Sequence, residues 1–213
     1  MSCAFDLAHY AELLACAQAG GYRLADFGDE PQPGDLFLRH DVDLSLDAAV
    51  RMAELEASVD TRAWYFLMRE SIFYNLASDE GEAALNRLRE LGHHVGCHLV
   101  FPDTQLDERM EPVIAWHNPD PEYMSAELDV GINVMSKRYF DPATYRSDSN
   151  QHWRSGCPHD ELRAGAFPWL QLLIHPEIWV YEGATMGQTM DSMLNAEKKR
   201  RLEQLRADRI DLS

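Results

Sequence analysis

Four short apolar runs recur along the chain: DLFLRHDVD (35–43), TRAWYFL (61–67), HHVGCHL (93–99) and WLQLLIH (169–175). Helically spaced segments separate them. From Phe5 to Ala19, Leu7, Tyr10, Leu13, Leu14 and Ala17 follow a helical period that stops at Gly20-Gly21, which predicts a covering helix. The same spacing returns from about Leu46 to Ala57 and from about Glu80 to Leu91, where Gly92 ends it. A long segment from about Thr189 to Asp208 sets Met190, Met193, Leu194, Leu202 and Leu205 mostly along one helical side. Strands alternating with helices predict a parallel sheet of the α/β class. In such sheets and barrels the C-terminal ends of the strands hold the chemistry, and three of the polar clusters here follow the apolar part of a strand. The second half is less regular: short strands are expected at Val113 to Trp116 and near Ala143 to Arg146, and GINVMSKRYF has no clear period.

Length and charge narrow the classes. The 213 residues suit one compact domain, with 46% hydrophobic and 26% charged residues. A net charge of -17, from 19 basic and 36 acidic residues, opposes an open nucleic-acid backbone or an anionic membrane as partner. The KKRR run at Lys198 to Arg201 therefore reads as a solvated helix face. No stretch approaches the roughly 20 apolar residues of a membrane span, so no stable membrane insertion is expected. The first twenty residues lack the basic flank and apolar core of a secretory signal, and Cys3, Cys16, Cys97 and Cys157 form no CxxC pair. Buried free thiols in a reducing cytoplasm are the expectation. Exposed strand edges or the late helix offer surface for a dimer, with no motif to specify one.

The titratable residues form two main clusters. In Arg39-His40-Asp41-Val42-Asp43, residues two apart share a strand face, so Asp41 and Asp43 point to one cavity while Val42 packs behind. Two close carboxylates repel, and a bound cation relieves that repulsion while leaving one free as a base. The plainer alternative is an Asp-rich turn capping the next helix. In Gly92-His93-His94-Val95-Gly96-Cys97-His98, His94, Gly96 and His98 share parity, and imidazoles with a carboxylate suit zinc, nickel, cobalt or iron. Taken singly, each histidine is more often a hydrogen-bonded structural residue. Further candidates are His117 in WHNPDP, Asp148, His152 and Arg154 in SDSNQHWR, and His175 in LLIHPEIW, where a strand meets Pro176. Trp153, Trp179 and Tyr181 would line a sugar-sized pocket or lie in the core. No GxSxG, GxGxxG or P-loop is present.

RHDVD, GHHVGCH and LLIHPEIW, in this order, resemble the polysaccharide deacetylase family, the carbohydrate esterase group that shares the NodB homology domain. Segments such as TRAWYFLMRES resemble its shorter bacterial branch associated with lipopolysaccharide or capsule biosynthesis. The resemblance covers about Asp35 to Trp179. It implies an irregular or incomplete (β/α) barrel, here a single domain over 1–213 with an N-terminal covering helix and a long C-terminal helix. It also implies one divalent metal, zinc first, with Asp41 as catalytic base, Asp43 and His98 as metal ligands and His175 as general acid. One position departs from the pattern: the second metal histidine, four residues after the first, is Pro102. His117 is the candidate replacement, ahead of His93 and His94. Arg154 or Arg39 would supply the arginine that steadies the base, and Asp148 or Arg154 would orient Asp41 or His175.

The expected activity is metal-dependent hydrolysis of a linear amide C–N bond, removing an N-acetyl group from an amino-sugar glycan or its precursor. Two alternatives stand beside it: an inactive deacetylase-like protein that binds a glycan or scaffolds its pathway, and a metal-dependent amidase acting on a non-sugar amide.

Overall fold

The computed structural model describes residues 3–101, 105–118 and 120–211. One sheet contains β1 (Arg23–Leu24), β2 (Asp35–Val42), β3 (Trp64–Leu67), β4 (His94–Leu99), β5 (Glu111–Trp116), β6 (Ile132–Asn133), β7 (Tyr145–Ser147) and β8 (Leu170–Ile174). Its order is β6-β5-β4-β3-β2-β8-β7, with β1 beside β2, and every strand pairing is parallel. Around it lie α1 (Leu7–Ala19), α2 (Leu46–Ser58), α3 (Asp79–Glu90), α4 (Pro121–Met124), α5 (His159–Arg163), α6 (Pro176–Val180) and α7 (Met186–Ala207). Among the described residues no ladder joins β6 to β7, so the (β/α) barrel is incomplete at that seam.

All eight residues of β2 are buried, because the strand faces helices on one side and the barrel interior on the other. Phe37, Arg39 and Asp41 take the inner face; Leu38, His40 and Val42 take the outer one. Parallel register sets Arg39 beside Trp64 and Asp41 beside Phe66, and sets Gly96 beside Phe66 on the next strand. Phe27, Phe37, Trp64, Phe66 and Tyr139 fill the interior, with ring centroids 5.2 to 6.1 Å apart. The interior is thus a packed core up to the strand ends. Gly96 is part of that packing: a Cβ there would stand 2.6 Å from the Phe66 ring and 2.7 Å from the Val113 carbonyl oxygen.

Helix ends follow local chemistry. The Ser45 hydroxyl accepts from the Ala48 N–H and caps α2, and Ser78 caps α3 in the same way. Ser45, and neither Asp41 nor Asp43, therefore does the capping that an Asp-rich turn would have done. Gly92 leaves α3 at φ +87°, a conformation that favours glycine.

The irregular second half contains more structure than its pattern announces. β6 is two residues long, and a 3-10 turn over Pro142–Thr144 delays the expected strand to Tyr145–Ser147. α5 and α6 have five residues each, too few to display a helical period. α6 folds directly after β8, with Pro176 at its first position. Trp153, Trp179 and Tyr181 are buried in the packing around it. α7 buries only Thr189 and Met193, while Leu194 is 53% exposed. Its KKRR run is not wholly solvated: Arg200 and Arg201 both pair with Glu80 in the first turn of α3.

Candidate active site

Five strand ends converge on one point. Asp43 follows β2, His98 is the penultimate residue of β4, His117 follows β5, Asp148 follows β7 and His175 follows β8. Asp43 Oδ1 lies 2.9 Å from His98 Nε2 and 3.2 Å from His117 Nδ1, and the two histidine nitrogens are 3.3 Å apart. His175 Nε2 stands 4.0 Å from Asp43 Oδ2, and Asp41 Oδ2 lies 3.9 Å from His98 Nε2. Asp41 and His98 are buried, while Asp43, His117 and His175 retain partial exposure.

This donor set fits a divalent cation. Metal–ligand bonds of about 2.0–2.2 Å place neighbouring ligand atoms about 2.9–3.4 Å apart in octahedral or tetrahedral geometry, and the three observed separations fall in that range. His98 Nδ1–H donates to the Ala115 carbonyl at 3.1 Å, which leaves the Nε2 lone pair facing the cluster. Asn118 lies 3.2 Å from His117 Nε2 and can hold the outer nitrogen of that ring. Without a cation, a carboxylate and two lone pairs at these distances repel unless protons are shared. In the metal-free chain burial opposes the ionised form of Asp43, but protons shared with the His117 and His98 rings hold its carboxyl well below the usual range. The same Asp43 bond raises His117 despite its burial.

Asp41 is secured by Arg39. The guanidinium donates from Nε to Oδ1 at 2.8 Å and from Nη2 to Oδ2 at 2.6 Å, a bidentate fork. Its Nη1 donates to Gln171 Oε1 at 3.0 Å, and Gln171 in turn donates to the Val134 and Tyr139 carbonyls. Arg39 also lies over the Phe66 ring, 5.7 Å from its centroid. Burial works against the Asp41 charge, yet Arg39 and His98 outweigh it and keep the carboxyl ionised.

On the other flank, His175 Nδ1 bonds Asp148 Oδ1 at 2.6 Å. Asp148 also accepts from the His175 backbone N–H and, at 2.6 Å, from Trp179 Nε1. Burial disfavours the His175 charge, but the Asp148 charge and hydrogen bond, with Asp43 and Glu177, push its pKa up to about 10. The imidazolium therefore points Nε2–H toward the cluster at neutral pH. Beside it Glu177 is buried and its Oε2 has no hydrogen-bond partner among the described residues. Burial pushes that carboxyl up to about 8, with His175 pulling against it and Asp43 adding to it.

The structure brings Asp41, Asp43, His98, His117, His175 and Asp148 together. Arg154 has no hydrogen bond or ion pair to them among the described residues: it is exposed and lines a cavity of about 460 Å³ with Trp153, Met135 and Tyr145, whose Met135 sulfur meets Arg39. Arg39 holds the steadying position that was open to either arginine, because strand parity sets it on the same face as Asp41. His152 is exposed. His94 shares the inner parity of His98 but sits at the other end of β4, where it bonds Glu111 and Asp26. His93 faces outward and is satisfied by the Ala53 carbonyl and the Ala63 N–H. Pro102 lies outside the described residues. Glu177 was not legible as a site residue, since it belongs to a five-residue helix with no periodic signal, and Trp179, expected in a sugar pocket or the core, is buried and holds Asp148.

No protein-family model matches the chain, and no curated protein matches it. Among solved structures the chain is similar to a peptidoglycan deacetylase of Bdellovibrio bacteriovorus, with 16% identity, a TM-score of 0.38, and coverage of 84% of this chain and 54% of that one. The chain thus spans about half the length of that protein.

Proposed function

We propose that this chain is a metal-dependent hydrolase that removes an N-acetyl group from an amino sugar or its glycan, with one divalent cation, zinc first, held by Asp43, His98 and His117. The carrying observation is the convergence of those three donor atoms between an ionised Asp41 on one flank and a charged His175 on the other. The motif order RHDVD, GHHVGCH, LLIHPEIW supports the polysaccharide deacetylase reading, and the shorter branch associated with lipopolysaccharide or capsule biosynthesis rests on segments such as TRAWYFLMRES alone.

When bound, the cation supplies a water of lowered pKa and polarises the amide carbonyl. Asp41 accepts the proton of the attacking water; the Arg39 fork fixes its orientation and leaves a second lone pair on each oxygen. His175 delivers its Nε2 proton to the departing amine nitrogen, while Asp148 retains the Nδ1–H and fixes the ring. Acetate and the free amino sugar result. Asp43, His117 and His175 are partly exposed, so the donor cluster is open to solvent on the side from which a substrate amide would enter. Against the inactive, glycan-binding reading, the placement of His117 Nδ1 3.2 Å from Asp43 supports a third donor, and a chain that retains no metal under metal-replete conditions would favour that reading instead.

The test pairs metal content with acetate release from N-acetylated amino sugars, using folded, untagged protein. Asp43→Ala and His117→Ala should each lose one equivalent of metal relative to the parent chain. Asp41→Asn should keep that equivalent and lose about 100-fold or more in turnover. Equal acetate release by the parent and Asp41→Asn would remove Asp41 as base, and unchanged metal in Asp43→Ala would remove the site.

A further inference from the structure

A second set of donor atoms converges away from the strand ends. Cys3 lies ahead of α1, His9 in its first turn and Cys157 in the loop ahead of α5, and one ligand atom from each lies within 4.8 Å of the other two. His9 Nε2 is 3.3 Å from Cys157 Sγ. Its other ring nitrogen, Nδ1, bonds Glu12 Oε2 at 3.1 Å. A carboxylate on the far nitrogen is the usual arrangement behind a metal-bound histidine: it fixes the tautomer and turns the Nε2 lone pair toward the ion. The Trp153 indole N–H lies 3.2 Å from Cys3 Sγ, a donor placed to stabilise a thiolate.

The four cysteines divide by environment. Cys16 and Cys97 are buried, as small apolar side chains usually are, whereas Cys3 and Cys157 are only half-buried. Two sulfurs and an imidazole from three separate segments are more than packing requires. A tetrahedral zinc with bonds of about 2.3 Å to sulfur and about 2.05 Å to nitrogen sets these atoms about 3.5–3.8 Å apart. The observed spacing needs a closure of about an ångström at most.

We propose that Cys3, His9 and Cys157 form a second metal site, of Cys2His type, that takes a soft divalent ion of the zinc class and fastens the segment ahead of α1 to the loop ahead of α5. Two thiolates balance the charge of the ion, and the two thiol protons leave to solvent on binding. The partial exposure of the three side chains leaves a fourth position for water. The site also touches the support of the active site: His9 stacks on Trp179 at 6.2 Å between centroids, Phe5 packs on Trp179 at 5.1 Å, and the Trp179 indole holds Asp148. The inference rests on its own donor atoms and is independent of the proposed deacetylase activity.

The experiment is a cobalt(II) titration of the full chain, reduced and stripped of metal. Only a thiolate site produces sulfur-to-cobalt charge-transfer absorption. The expected result is such absorption saturating by two equivalents in the parent chain, which has both sites, and by one in Asp43→Ala, abolished by zinc in the same amounts, and lost in both Cys3→Ser and Cys157→Ser. Circular dichroism checks that the variants remain folded, and the zinc displacement needs no variant. Absence of the band in the reduced parent chain, or its persistence in Cys157→Ser, would overturn the site. A Cys3–Cys157 disulfide in air-exposed protein, found together with no band after reduction, would overturn it in favour of a redox pair.

Discussion

Asp148 receives three hydrogen-bond donors and has no exposed surface, so its charge is spent on holding His175 and Trp179. Replacing it with Asn keeps the shape and removes the negative charge that most strongly opposes the effect of burial on His175. The pKa of His175 then falls from about 10, so the imidazolium is lost at lower pH. In the proposed role of general acid His175 must be protonated, so the alkaline limb of kcat/KM should move down by at least a pH unit in Asp148→Asn. Turnover at pH 8 should fall by about tenfold for each unit by which the lowered pKa lies below 8. A variant with a full alkaline limb at its parent position would show that His175 does not serve as the acid. Most of these residues were legible because strand parity and strand ends are local properties: Asp41, Asp43, His98 and His175 all stand at or just past the ends of apolar runs. His117 was legible only as a donor in need of partners, since its contact with Asp43 spans 74 residues. Arg154 misled because sequence proximity to Asp148 says nothing about side-chain direction on the turn that follows β7.

α7 is held unevenly along its 22 residues. Its first half docks Met193 into a small cluster with Ala48, Val180 and Tyr181, whereas the half after Leu194 buries no side chain and meets the rest of the chain through Arg200 and Arg201 on Glu80. Exposed ion pairs contribute about 0.2–1 kcal/mol, far less than a buried methionine. Hydrogen exchange should therefore be faster over 198–207 than over 186–194. Glu80→Gln should speed exchange in 198–207 by about fivefold or less with little change in melting temperature. Protection of 198–207 equal to that of α1 would contradict this picture. The apolar side read from Met190 to Leu205 correctly gave the helix but not its docking, because periodicity reports a helix and cannot report what lies opposite each turn. The strands were legible for the complementary reason, that burial on both faces makes them continuously apolar. Where an element shrinks to two residues, as in β6, or five, as in α5 and α6, no period exists to be read.

At the scale of the whole molecule, one buried carboxylate joins the sheet to its outer helices. Glu56 on α2 is fully buried and accepts from Tyr10 of α1, from Tyr65 of β3 at 2.7 Å and from His40 of β2 at 2.7 Å, with His93 at 3.6 Å. These partners lie on the outer face of the strands, the face opposite the candidate site, so His40 in RHDVD belongs to the scaffold while Arg39 and Asp41 beside it belong to the site. Burial raises the cost of the Glu56 charge, but His40 and the hydroxyl donors outweigh it and hold the carboxyl below its ordinary 4.5. A depressed acid contributes stability that is complete above 4.5 and is lost as pH falls through its folded-state value. Burial also lowers His93 from 6.5, so the unfolded chain takes up that proton first and stability begins to fall below about 6.5. Both groups act in the same direction, and acid should loosen α1 and α2 from the sheet. Glu56→Gln leaves the buried donors imperfectly matched and should cost about 3 kcal/mol at pH 7. It should also flatten the fall in stability below 4.5, because the variant has no carboxylate to protonate. Urea midpoints of the parent and Glu56→Gln from pH 3 to 8 measure both effects, and two curves that fall in parallel below 4.5 would show that the Glu56 charge does not tie the layers together.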